Sequence, residues 1–182
     1  MSATLFSQKE QEILKLEVRR KIYDLVKRFS GCNFHHLERK SEMSIGTLQY
    51  HLNYLTKHRL ITAEKDGNKI RYFTQNISLS DKRMLACLRQ RNIRHIVLFI
   101  LRQRKCRQKD IAQFMKLSPS TVSWYLARMV RGKLLDVAKN KGELLFSLAG
   151  KEAEIIALLV AYKESFFDQL VDQTIDMWAF RI

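Results

Sequence analysis

The sequence predicts a mainly helical α+β chain in which one small unit is written twice and a further helix follows at the C-terminus. Three observations carry that prediction. The 182 residues include only 6 Gly and 1 Pro, too few breakers for a loop-rich chain. Hydrophobic residues make up 46%, enough to bury a real core. Sliding the chain by 74 positions lays Ser44-Ile-Gly-Thr-Leu-Gln-Tyr-His-Leu52 over Ser118-Pro-Ser-Thr-Val-Ser-Trp-Tyr-Leu126. The same slide needs no gap from Arg20 to Gln75, and it pairs Ile22 with Ile96, Leu37 with Ile111, Leu55 with Met129 and Tyr72 with Phe146. Identities are few, but apolar character persists at these places.

Each copy repeats one order of local signals. Ser7 with Glu10 forms a capping box ahead of an N-terminal helix. Ile22, Leu25, Val26 and Phe29 lie at helical spacing and predict a helix over 18–29. A short helix follows at about 34–40, and Ser44 caps another that reaches about His58. Residues 60–74 are strand-like on both sides of Asp66-Gly67-Asn68, a strong hairpin signal. The second copy predicts helices over 93–101, 108–114 and 118–131, with Pro119 at the first helical position, where a missing N–H is harmless. Its hairpin spans 134–148 and turns at Asn140-Lys141-Gly142. Three helices and a two-stranded ribbon make a winged helix. The expected domains are 1–78, 79–150 and a C-terminal helix, 151–182.

Charge points to the partner. The chain carries +15, with a pI near 10.0. The stretch 151–182 holds six acids against three bases, leaving +18 on residues 1–150. A basic body with an acidic end suggests a polyanion-binding part and a part with another task. Cys32, Cys87 and Cys106 form no CxxC pair and read as buried thiols of a reducing compartment. No apolar run approaches a membrane span and no signal peptide opens the chain, so a cytoplasmic protein without a membrane partner is expected.

The two capped helices offer candidate reading faces. Leu48, Leu52 and Leu55 form the buried stripe of the first. Opposite lie Gly46, Tyr50, Asn53 and Lys57, flanked by Thr47, Gln49 and Tyr54 and preceded by the cap Ser44: a polar, acid-free face suited to base edges and phosphates of double-stranded DNA. In the second, Val122, Leu126 and Met129 are the stripe, and Ser120, Thr121, Ser123, Trp124 and Arg128 are the candidates. Trp124 suits an interface with protein as well as one with DNA. The wings add Lys65, Lys69 and Arg71 in the first copy and Lys139 and Lys141 in the second. A basic run between the copies, Arg104 and Lys105 included, is expected in part to face phosphate.

Across Thr47-Leu-Gln-Tyr-His-Leu-Asn-Tyr-Leu-Thr-Lys-His-Arg-Leu-Ile61 the sequence resembles the ArsR-like winged-helix regulators common in archaea, with His51-Leu52, Leu55 and Leu60-Ile61 in the typical places. The tandem arrangement looks like archaeal regulators that carry two such units and a C-terminal helix. The resemblance covers about residues 16–150 and implies DNA binding and transcription regulation. Metal-sensing members place cysteines near the recognition region. This chain has none there, so no metal and no cofactor are expected.

Residues 152–182 lack glycine and proline and read as one long helix. Ile155, Leu159, Tyr162, Phe166, Leu170 and Met177 form a roughly heptad seam, which predicts a homodimer. The alternative is packing back onto the winged helices. Glu164, Asp168, Asp172 and Asp176 recur every four residues as a solvated stripe. No nucleophile–base arrangement or phosphate-binding glycine loop is visible, so an enzyme is not expected. The reading is a dimeric, sequence-specific regulator. Its rivals are a winged-helix scaffold of the transcription machinery and a chromatin-type protein that binds DNA without preference.

Overall fold

Ser7 accepts a hydrogen bond from the Glu10 backbone at 3.3 Å while the Glu10 carboxylate accepts one from the Ser7 N–H at 2.7 Å. This reciprocal cap starts α1 (Gln8–Leu14). The structure, a computed structural model, describes residues 7–140 and 142–166. The chain divides into two compact units, Met1–Ser78 and Leu79–Ile182.

In the first unit, α2 (Glu17–Arg28) buries Ile22, Tyr23 and Val26 on one face. A short strand β1 (Cys32–Asn33) leads into α3 (Phe34–Ser41), capped by the Asn33 side chain on the His36 N–H. Then α4 (Ile45–Lys57) starts on Ser44, whose hydroxyl accepts from the Thr47 N–H at 3.2 Å. Leu48, Leu52 and Leu55 of α4 are fully buried against Ile22, Val26 and Leu37. Strands β2 (Ile61–Asp66) and β3 (Lys69–Thr74) form the hairpin, turning at Gly67 with φ +61°. β1 adds to the free edge of β3, with Cys32 opposite Tyr72, so the antiparallel sheet runs β1-β3-β2. The expected two-stranded ribbon is therefore a three-stranded sheet.

The second unit repeats this frame. It comprises α5 (Leu79–Leu88), α6 (Arg91–Gln103), β4 (Cys106–Arg107), α7 (Gln108–Met115), α8 (Pro119–Arg131), β5 (Leu135–Asn140) and β6 (Glu143–Leu148), with sheet order β4-β6-β5. The three strands and the helices α7 and α8 begin and end 74 residues after their counterparts. Finer details recur at the same offset. Arg20 donates to the Leu14 carbonyl at 3.2 Å, and Arg94 to the Leu88 carbonyl at 2.7 Å. Glu42 and Lys116 adopt left-handed φ of 58° and 53° directly after α3 and α7. Only Met43 and Leu117 separate them from the capping serines, and both pack on their cores.

The C-terminal segment departs from expectation. α9 (Glu152–Ala161) ends at Tyr162, and a single turn α10 (Lys163–Phe166) follows, so the helix is interrupted rather than continuous. Ile155, Leu159 and Phe166 are buried in the core of the second unit itself, beside Met84, Leu88 and Ile93, and Tyr162 packs against that core. They are thus not the outward seam of a dimer, and residues 151–166 are not a separate domain. The physical reason is that α5 and α6 present an apolar surface that these side chains cover. The Arg94 guanidinium lies 4.8 Å from the Phe166 ring centroid and that of Arg89 5.1 Å, and Arg89 donates to the Ser165 carbonyl at 3.2 Å. Leu170 and Met177, the other expected seam residues, lie outside the described residues.

Candidate nucleic-acid interface

The buried leucine stripe of α4 forces its other face outward. Ser44, Gly46, Thr47, Gln49, Tyr50, Asn53 and Lys57 are all exposed, as the helical period requires. A Cβ built on Gly46 would meet nothing within 4 Å, so this glycine leaves the helix surface flat and relieves no internal clash. Gln49 and Asn53, one turn apart, are joined by a 2.9 Å bond from the Gln49 amide nitrogen to the Asn53 carbonyl oxygen. Tyr50 stands 60% exposed, edge-on to His51 at 5.0 Å.

The opposite flank of α4 is aromatic. Tyr54 stacks near His58 at 4.3 Å, and the Arg19 guanidinium covers the Tyr54 ring at 3.8 Å. His51 is buried, and burial first, then the Arg19 charge, pull its pKa below the ordinary histidine value. Burial raises the Tyr72 phenol, while the neighbouring Gln49 side chain works in the opposite direction. Neither Arg19 nor Tyr72 was among the expected site residues. The spacing of the α4 stripe alone could have placed His51 inside, but not the hydroxyl of a residue one strand away.

On the first wing, Lys65 and Lys69 are exposed, and Ile70 beside them is 52% exposed. Arg71 is different and corrects the expectation of a phosphate contact there. Its side chain is buried, donating to Asp66 at 2.6 Å and to the Gly31 carbonyl at 2.8 Å. On the middle strand β3, Arg71 lies between Asp66 and the Gly31 carbonyl, and its side chain faces structure and not solvent. It braces the hairpin against the loop after α2.

In the second unit, Ser118 caps α8 through the Thr121 N–H at 3.3 Å, and Ser120, Thr121, Ser123 and Trp124 are exposed. Trp124 occupies the place of Tyr50, and Ala127 that of Asn53. Arg128 is half-buried, and with the Gln90 amide turned so that its oxygen faces the guanidinium, that oxygen accepts from Arg128 at 2.8 and 3.2 Å. Arg104, Lys105 and Lys139 are exposed, whereas Lys141 lies outside the described residues. Much of the surrounding positive charge is internally matched. Arg107 donates twice to Asp110 at 3.0 Å, and Glu143 accepts from Lys109 at 3.2 Å and from Arg107 at 3.4 Å. These hydrogen bonds hold the Asp110 and Glu143 carboxyls below their ordinary range. The basic run between the copies is thus partly structural, since Arg89, Arg94 and Arg107 are engaged by their own unit.

Burial pushes the Cys106 thiol up to about 11, which makes it a poor nucleophile and ligand. Among the described residues no cluster of His, Cys, Asp and Glu could hold a metal ion, and no helix is long and apolar enough to cross a membrane.

Both units resemble known helix-turn-helix domains. A family model described as an N-terminal HTH domain matches residues 16–85, and one described as a winged helix-turn-helix DNA-binding domain matches residues 89–134. An HTH-type transcriptional regulator of Methanocaldococcus jannaschii is 28% identical over 134 residues, covering 74% of this chain and 33% of the relative. The chain thus spans about a third of the length of that curated relative. The crystal structure of the transcriptional repressor PagR of Bacillus anthracis is 31% identical, covering 44% of this chain and 92% of that one, with a TM-score of 0.40. The chain carries two tandem helix-turn-helix units, each folded with a wing, and the family model that the second matches is described as DNA-binding.

Proposed function

We propose that the protein is a sequence-specific transcription regulator whose first unit reads base edges in the major groove through α4. One observation supports this above the others. The exposed face of α4 carries amides, hydroxyls and a lysine, with no acid, on a helix whose opposite face is wholly buried. The exposed wing bases Lys65, Lys69 and Lys139, with Arg104 and Lys105, serve as phosphate contacts in this reading. The second unit adds affinity through Ser120, Thr121, Ser123 and Trp124, and contributes less to sequence choice.

A dimer belongs to the same reading. Because Ile155, Leu159 and Phe166 are used inside the second unit, the self-association falls to the residues beyond Phe166, where Phe167, Leu170, Val171, Ile175, Met177 and Trp178 are apolar. Two linked copies gain affinity through effective concentration and call for a target with two related half-sites.

The test is selection of duplexes from a randomised pool, followed by gel shift with specific and scrambled competitors. Enrichment of one sequence supports the reading. Equal competition by every duplex overturns it in favour of non-specific binding. Sedimentation of the full chain and of a chain ending at Phe166 tests the dimer: a monomeric full chain, or a shortened chain that still pairs, would exclude the assignment.

A further inference from the structure

We infer that Tyr50 and Trp124, one on each capped helix, recognise the 5-methyl group of thymine by apolar contact. The inference rests on the proposed major-groove reading by α4. It extends that reading to α8 and names the base feature that both units take.

The two residues hold one place in the two units. Each is the sixth residue of its helix, counted from Ile45 in α4 and from Pro119 in α8. Tyr50 is 60% exposed and Trp124 53%. Their settings match as well. The Tyr50 ring meets the His51 ring edge-on, with centroids 5.0 Å apart and planes at 74°. The Trp124 ring meets that of Tyr125 at 5.0 Å and 79°. Edge-to-face packing of this kind restrains an exposed ring to one orientation. The supporting rings are themselves held: His51 is buried, and the Tyr125 hydroxyl accepts from the Asn92 side chain at 2.8 Å.

Around these rings the two faces have diverged. Ser120, Ser123 and Ala127 stand in α8 where α4 has Gly46, Gln49 and Asn53. The two aromatic side chains also differ in their polar groups, since a phenol hydroxyl and an indole N–H sit at different points of different rings. What the units share at this place is aromatic surface. A common role therefore falls to the rings and not to a hydrogen bond.

The major groove offers such a surface one match. Adenine, guanine and cytosine present donors and acceptors there, and thymine alone adds a methyl group. A ring pressed on a donor or acceptor strips its water and returns no hydrogen bond, which costs free energy. A ring against the methyl group buries apolar surface on both sides. The selection is thus part attraction and part rejection. α4 surrounds its ring with amides and α8 does not, so the second unit's choice is confined to this single contact.

The experiment uses the full chain and the best duplex from a randomised pool. Each thymine of that duplex is replaced in turn by uracil, which removes only the methyl group and keeps pairing. Replacement at the contacted thymines should weaken wild-type binding by roughly 3- to 10-fold. At some of these positions the sensitivity should vanish in Tyr50→Ala, and at others in Trp124→Ala. Tyr50→Phe and Trp124→Phe should keep it, because each retains a ring. All four variants should fold normally, since both side chains are more than half exposed. Their salt dependence should equal that of wild type, because no charge is lost. Sequence-specific binding indifferent to every uracil replacement overturns this inference and leaves the regulator reading intact. Uracil sensitivity that persists in both alanine variants, or disappears in both phenylalanine variants, overturns it as well. If wild type binds all duplexes alike, the underlying regulator reading fails instead.

Discussion

The two units share a frame and differ in what they do with charge. Strands and caps recur at a constant offset, and the same apolar places are filled. The first unit exposes its wing lysines and buries one arginine; the second ties its wing acid Glu143 to Arg107 and Lys109. A duplicated fold keeps its core under tight volume constraint while its polar surface drifts. The units also end differently. Only the second is completed by a C-terminal segment, anchored where Phe166 sits between Arg89 and Arg94.

That last difference gives the largest expected effect. Phe166→Ala should destabilise the second unit by about 3–5 kcal/mol, because a buried ring is removed from a packed core. Thermal or urea denaturation measures it. A change within a few tenths of a kcal/mol would mean that Phe166 serves association and not the unit's own core.

Next comes the braced wing. The second unit has Asn140 and Leu145 at the places of Asp66 and Arg71. Arg71→Leu should cost about 2–3 kcal/mol by removing the buried guanidinium that bonds Asp66 and the Gly31 carbonyl. The double variant with Asp66→Asn copies the second unit's solution and should recover most of that loss. A double variant no more stable than Arg71→Leu would show that the two wings are not interchangeable.

A smaller effect concerns binding. Glu143→Gln releases Lys109 from its carboxylate and leaves Arg107 on Asp110, so affinity for any duplex should rise and the slope of log affinity against log salt should steepen by about 1. An unchanged slope would place this cluster away from the DNA.

The smallest is a pH effect confined to the first unit, since Tyr125 replaces His51 in the second. Burial lowers the His51 pKa, so the folded form holds fewer protons than the unfolded one. Stability should then be full above the ordinary histidine value, near pH 6.5, and fall as pH drops below it. His51→Gln should flatten that part of the stability–pH curve. An identical slope in the variant would assign the effect to another group.

Much of this frame was legible in the sequence because its signals are local. The serine caps, the helical leucine stripes and the Asp-Gly turn each speak within a few residues, and the repeat confirmed them twice. Strands β1 and β4 were not legible, because two residues carry no periodicity. The burial of Arg71 depends on β3 being the middle strand, which follows only once β1 is known. The fate of Ile155, Leu159 and Phe166 could not be read either. An apolar stripe is the same whether it meets a second copy or its own unit, and here α5 and α6 supplied the matching surface.

The turn between α3 and α4 has a consequence for how such a reader can change. Glu42 is committed to a left-handed backbone, Met43 packs on the core and Ser44 is the cap. No residue of the turn is spare, so adding or removing one would throw the following helix out of phase with its own leucine stripe. Most surface loops tolerate such length changes; this one acts as a gauge. On the proposed reading, descendants of this unit would therefore acquire new targets by exchanging side chains on a fixed face, and never by lengthening the approach to it.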